Sequence, residues 1–207
     1  MKEREMRTLL CAIALGLAAV TSANAGLVVF HPTPNNLSEL PHAEYFTWGI
    51  NFTLAPDEKI TGAVLTFNNI WDWTKESDDH LFVHLLDNIK SGSRSYVDNQ
   101  GGGDNFAGQG ALVSNWSDPF GGKSRNFNLV LDFGSLGLLG VLNNYAQTIP
   151  GKNKVNFGFG IDPDCHYYND GVTFTMTTET TCPIIHIPEP ATMAMLAIGG
   201  LLLRRRK

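Results

Sequence analysis

An all-β fold, a β-sandwich of jelly-roll-like type with one short helix, is predicted by three features of the 207-residue sequence. Short runs of β-branched and aromatic residues alternate with clusters of Gly, Pro, Asn and Asp, the punctuation of strands and turns. Two runs, Thr47 to Leu54 and Val172 to Thr177, show the period of two expected of a strand with one packed and one wet face. An unbroken apolar run stands near each terminus, so the sandwich is expected to be flanked by an N-terminal signal helix and a C-terminal hydrophobic helix.

Taken in order, strands are expected near 27–30, 45–54, 60–69, 81–86, 111–116, 126–133, 154–161 and 171–178. Two sheets pressed face to face accommodate so many short strands within one domain. Leu136, Leu139, Val141 or Leu142, and Tyr145 recur at helical spacing between Gly134 and Pro150, which predicts a short helix capping one end. Ser91 to Gly110, rich in Gly, Ser, Asp and Asn, reads as a long surface loop around a weak strand at Ser95 to Val97. No period of 20 to 50 residues repeats, which argues against a solenoid or propeller.

Charge is segregated along the chain. Between Gly26 and Ile187 stand eight Lys and Arg against seventeen Asp and Glu, while the termini are basic. An acidic middle repels phosphate backbones, which excludes nucleic acid as the expected partner and favours cations or neutral glycans.

The first 25 residues have the three parts of an export signal. Lys2, Arg4 and Arg7 precede the apolar run Leu9 to Val20, and small residues follow, ending Ala23-Asn24-Ala25. As a helix that run is about 18 Å long, short for a hydrocarbon core of about 30 Å, so cleavage after Ala25 is expected and with it export by the Sec route. Cys11 lies inside the run and would leave with it.

Beyond Ile187 the chain reads Pro188-Glu189-Pro190, then an uncharged stretch from Ala191 to Leu203, then Arg204-Arg205-Arg206-Lys207. The apolar part makes about 20 Å of helix, and the four cations would stay on the cytoplasmic side, placing the preceding domain outside. This order resembles the PEP-CTERM sorting signal of exopolysaccharide-producing bacteria. The resemblance implies a membrane-embedded exosortase as partner, with Pro188, Glu189 and Pro190 as its substrate motif, and the cytoplasmic membrane as a transient anchor. The segment from Phe157 to Gly171 is also similar to one that recurs near the end of extracellular domains bearing such tails. The expected division is therefore a signal peptide over 1–25, an extracellular β-sandwich domain over 26–187 and a sorting and anchoring segment over 188–207.

Candidate chemistry in the middle is sparse. Cys165 and Cys182 are the cysteines left after signal removal, and in an oxidising compartment they are expected to pair, closing a loop of about 18 residues for about 3 kcal/mol. Asp162, Asp164, Asn169 and Asp170 first explain turns, since such side chains bond their own backbone. Their oxygens are also calcium ligand chemistry, with Asp162, Asp164 and Asp170 as the ligands, though the spacing is not that of an EF-hand. His80 and His84 share one strand face with Asp78 and Asp79 beside them, donors a transition metal can use; the histidines stand about 13 Å apart along an extended strand, too far to chelate one ion, and are expected at the surface. Trp48, Trp71, Trp73 and Trp116 are candidate sugar platforms, above all Trp71 and Trp73, which point the same way when extended, although core packing or interface burial is the commoner fate of tryptophan.

No nucleophile elbow, zinc-protease helix or phosphate loop is present in the sequence. No catalytic residue, metal site or cofactor is therefore assigned, beyond the calcium chemistry just described. The expected role is a non-catalytic envelope or extracellular-matrix protein. The alternatives are a cell-surface carbohydrate-binding module, with polysaccharide as partner, and a glycan-acting hydrolase of unrecognised motif.

Overall fold

A computed structural model describes residues 25–72, 79–122, 126–147 and 157–180. They form β1 (Ala25–Phe30), β2 (Glu39–Leu40), β3 (Glu44–Ile50), β4 (Glu58–Phe67), β5 (Trp71–Asp72), β6 (Leu81–Asp87), β7 (Gly92–Val97), β8 (Ala111–Trp116), β9 (Leu129–Asp132), α1 (Leu139–Ala146), β10 (Phe157–Pro163), β11 (Tyr167–Tyr168) and β12 (Val172–Thr180). The chain is thus all-β with one short helix in the described residues. The two expected terminal helices fall outside them, and no described helix is long and apolar enough to cross a membrane.

Three sheets are present among the described residues: β1-β12-β4-β9, β7-β3-β10-β6-β8 and a small β2-β11-β5. All named strand pairs are antiparallel. The period of two in β12 decides its facing: Val172, Phe174 and Met176 are buried while the intervening threonines are half-buried. Its partner β4 changes parity along its length, because Ile60 lies opposite Thr178 and Gly62 opposite Thr177. This irregularity at Thr61 lets Ile60 share the buried side with Ala63, Leu65 and Phe67.

The two large sheets meet through aromatic rings. Phe159 of β10 packs edge-to-face on Phe174 of β12 at 4.9 Å between centroids, and Phe133 and Phe157 also pack on Phe174, at 5.7 and 6.1 Å. Such pairs add about 0.5–1.5 kcal/mol each beyond their burial. The helix closes one end, with Leu142 and Ala146 buried. Asn143 fixes it to β4 by a two-way amide contact: its Oδ1 accepts Ile60 N–H at 2.8 Å and its Nδ2 donates to Ile60 O at 2.9 Å. Leu136, expected on the helix face, instead lies exposed in the turn before it, where Asp132 accepts the Ser135 N–H.

The Ser91 to Gly110 segment departs from the loop expectation. Gly92–Val97 forms a full edge strand against β3, and the remainder folds over the outer face of the five-stranded sheet. Phe106, 4% exposed, is its anchor there, in ring contact with Tyr45 of β3 and His84 of β6. This cover explains why Gly158 and Gly160 alternate with Phe157, Phe159 and Ile161 in β10. The large side chains fill the core, and Gly160 leaves room for the Phe106 ring.

Candidate functional site

The end of β10 and the turn that follows carry most of the polar chemistry. Asp162 is fully buried on the outer face, where its Oδ2 accepts the Asn105 N–H at 2.6 Å. Asp164 Oδ1 accepts Gly103 N–H at 2.9 Å. The two carboxylates thus moor the covering loop by its backbone. Burial pushes the Asp162 carboxyl up to about 6 against the opposing Asn105 hydrogen bonds, with the charges of Asp98 and Asp164 adding to the rise. Asp164 is raised by the same cause, burial first, and Asp98 and Asp104 contribute.

Asp170 is engaged elsewhere, accepting from Asn69 Nδ2 at 2.9 Å. Asn169 behaves as a turn residue: its Oδ1 accepts Gly171 N–H and its Nδ2 donates to Leu37 O. The oxygens expected together in one calcium set are therefore distributed, with Asp162 and Asp164 on the loop and Asp170 on the neighbouring turn.

His84 corrects the surface expectation. It is 4% exposed, held between Asp104 Oδ2 at 2.8 Å from Nε2 and Gln109 O at 3.0 Å from Nδ1. The covering loop buries it, which spacing along β6 does not foretell. His80 has a different partner, Asn115 Oδ1, at 2.7 Å. The two histidines do not converge.

The tryptophans divide in the same way. Trp48 belongs to the core, 2% exposed and packed on Phe159, because its parity in β3 faces the opposite sheet. Trp116 packs on Phe127 and Tyr167. Trp71 alone, among the described tryptophans, joins a half-exposed row: it stacks on Tyr168 at 4.9 Å, and His166 stacks on Tyr168 at 4.6 Å. His166 Nε2 meets Glu39 Oε1 at 3.0 Å, and Glu39 borders a depression of about 360 Å³ lined also by Asn35, Ser38, Pro41, Glu44 and Phe46. Trp73 lies outside the described residues.

Cys165 is a buried free thiol that donates to Asp72 Oδ2 at 3.2 Å. Burial, then the hydrogen bonds to Asp72 and Asp79, push this thiol far above its ordinary range. Its expected partner Cys182 lies outside the described residues, as do Ala23 and the Pro188, Glu189, Pro190 motif. Ala25, the other residue of the expected cleavage site, opens β1.

The tail is decided by comparison. Residues 186–207 match the PEP-CTERM protein-sorting motif. No curated protein matches the chain. The PEP-CTERM motif marks an exported protein sorted at the cell envelope, and its recognition partner is an exosortase, a membrane processing enzyme. Pro188, Glu189 and Pro190 fall inside the matched residues.

Several polar residues escaped sequence reasoning: Asp98 and Asp104 in the covering loop, and Asp72, Asp118 and Tyr167 around Cys165. The last three are buried, as is Asp79, which the sequence offered only as a donor beside the histidines. They come from separate stretches of the chain, so no local spacing joins them.

Proposed function

We propose that this is an exported, non-catalytic envelope or extracellular-matrix protein. Its sandwich domain is delivered through the Sec route, held at the cytoplasmic membrane by the apolar tail and cut near Pro188-Glu189-Pro190. The match of residues 186–207 to the PEP-CTERM motif carries this reading. The strand order supports the jelly-roll type of the sandwich. With β7 and the two-residue strands set aside, the remaining eight, numbered in chain order, run 1-8-3-6 in one sheet and 2-7-4-5 in the other, two interleaved Greek keys. The test is intact mass of the protein recovered from its native envelope and medium, beside a Pro188→Ala, Pro190→Ala variant. A wild-type chain that begins at Gly26 and ends near Pro188, with the variant retaining its tail, is the expected result. A wild-type chain still ending at Lys207 would reduce the tail to a plain anchor.

A second reading, carbohydrate binding at the cell surface, rests on the Trp71, Tyr168 and His166 row beside the Glu39 depression. Half-exposed rings next to hydroxyl and carboxylate groups suit a neutral glycan, whose apolar ring face stacks while its hydroxyls hydrogen-bond.

A further inference from the structure

Three segments converge behind the small sheet. β11 pairs with β5 so that Tyr167 lies opposite Asp72, and Asp164 N–H donates to His80 O at 2.8 Å, drawing the Asp79-His80 segment against the start of β11. The Cys165 sulfur and one carboxylate oxygen each from Asp72 and Asp79 consequently all lie within 4.8 Å of one another. These residues are 7%, 0% and 2% exposed.

Behind them Asp118, also buried, accepts Asp72 N–H through Oδ2 and Phe120 N–H through Oδ1, which positions β5 and uses both of its oxygens. Tyr167 gives the independent sign that something else is accommodated. It is fully buried opposite Asp72, and among the described residues its hydroxyl has no hydrogen-bond partner. The neutral phenol carries a proton to donate. A buried donor without an acceptor is rare in a native fold.

We propose that Asp72, Asp79 and Cys165 bind one divalent transition-metal cation of zinc type, and that the Tyr167 hydroxyl donates to the water completing its coordination. Sulfur and oxygen ligands at about 2.3 and 2.0 Å on a tetrahedral ion stand about 3.5 Å apart. Cys165 Sγ and Asp72 Oδ2 already stand at 3.2 Å. The thiolate selects against calcium and magnesium, which take oxygen ligands. On binding, the Cys165 thiol releases its proton to solvent and the sulfur–hydrogen bond is replaced by a sulfur–metal bond. Metal ligation and a Cys165–Cys182 disulfide exclude each other, because one sulfur cannot serve both.

The test uses the full chain, purified without chelators, and probes it with zinc alone and with cobalt(II) alone. One equivalent of zinc per chain retained through gel filtration is expected, together with a sulfur-to-cobalt charge-transfer band. Cys182→Ser should keep both signals and Cys165→Ser should lose the band. Asp79→Asn should weaken zinc binding at least about tenfold, and Tyr167→Phe should weaken it while keeping the band. Substoichiometric zinc in the wild type, a band that survives Cys165→Ser, or a Cys165–Cys182 disulfide in non-reducing peptide maps of the exported protein would each overturn the proposal.

Discussion

The Phe106 ring lies so close over Gly160 that a β-carbon built on that glycine would stand 2.8 Å from three of its carbons. An aromatic ring covering a strand glycine replaces the missing side chain and protects the outer face of β10. Gly160→Ala should therefore displace the ring and cost about 1–3 kcal/mol as overpacking. Urea unfolding measures this directly. In a Phe106→Ala background the same substitution should cost much less, and equal costs in the two backgrounds would show that the ring and the glycine are not coupled.

Asp162 predicts an unusual pH dependence. Its folded carboxyl sits at about 6 against an ordinary 3.8. Between these values the folded state binds the proton better than the unfolded chain, so stability falls as pH rises through this window and the penalty is fully present above it. After allowance for solvent screening the effect is roughly 2 kcal/mol. Asp164 shifts in the same direction, whereas Asp132, held below its ordinary value chiefly by the Ser135 backbone N–H, titrates below the window. The urea midpoint should be higher at pH 5 than at pH 7.5, and Asp162→Asn should flatten that slope by raising the value at pH 7.5. An unchanged slope in the variant would place the effect on other groups.

These two sites show where sequence reasoning succeeds and where it stops. β12 was legible because burial of one face imposes a period of two, as in Val172, Phe174 and Met176, whereas β3, expected to alternate from Thr47 to Leu54, ends at Ile50 and is buried on both faces from Phe46 onward. The two-residue strands β2, β5 and β11 have too few residues to show any period, and their pairing is set by the tertiary fold. Asp162 and Asp164 were legible as polar turn chemistry. Their partners Asn105 and Gly103 were not, since contacts spanning 57 and 61 residues depend on how a glycine-rich loop folds back. His84 was misjudged because it lies beneath that same loop.

His84 should be the second mooring of the covering loop. Its two ring nitrogens engage Asp104 and Gln109, one on each side of Phe106 in the chain. His84→Ala removes both contacts and opens space below the ring, for an expected loss of about 2–4 kcal/mol. Asp104→Ala removes one contact only and should cost less. Limited proteolysis should cut between residues 98 and 110 faster in His84→Ala than in the wild type. Equal cutting rates would mean that Asp162, Asp164 and Phe106 hold the loop without it.

The glycan reading makes a sharper demand on Trp71 than on the other tryptophans. Trp48 is a core residue and Trp116 is packed between Phe127 and Tyr167, so replacing either should lower stability first. Trp71 is half-exposed at one end of the ring row, and its substitution by Ala should leave most of the core intact. Stacking on an aromatic ring contributes about 1–3 kcal/mol when the partner is a flat π-face, and a sugar's apolar face should gain at the lower end of that range. Retention on a neutral polysaccharide column should therefore weaken about fivefold or more in Trp71→Ala, with thermal unfolding changed by only a few degrees. Retention unchanged in both Trp71→Ala and a Trp71→Ala, Trp73→Ala double variant would remove the row from any binding role and leave scaffold and sorting as the reading of this domain.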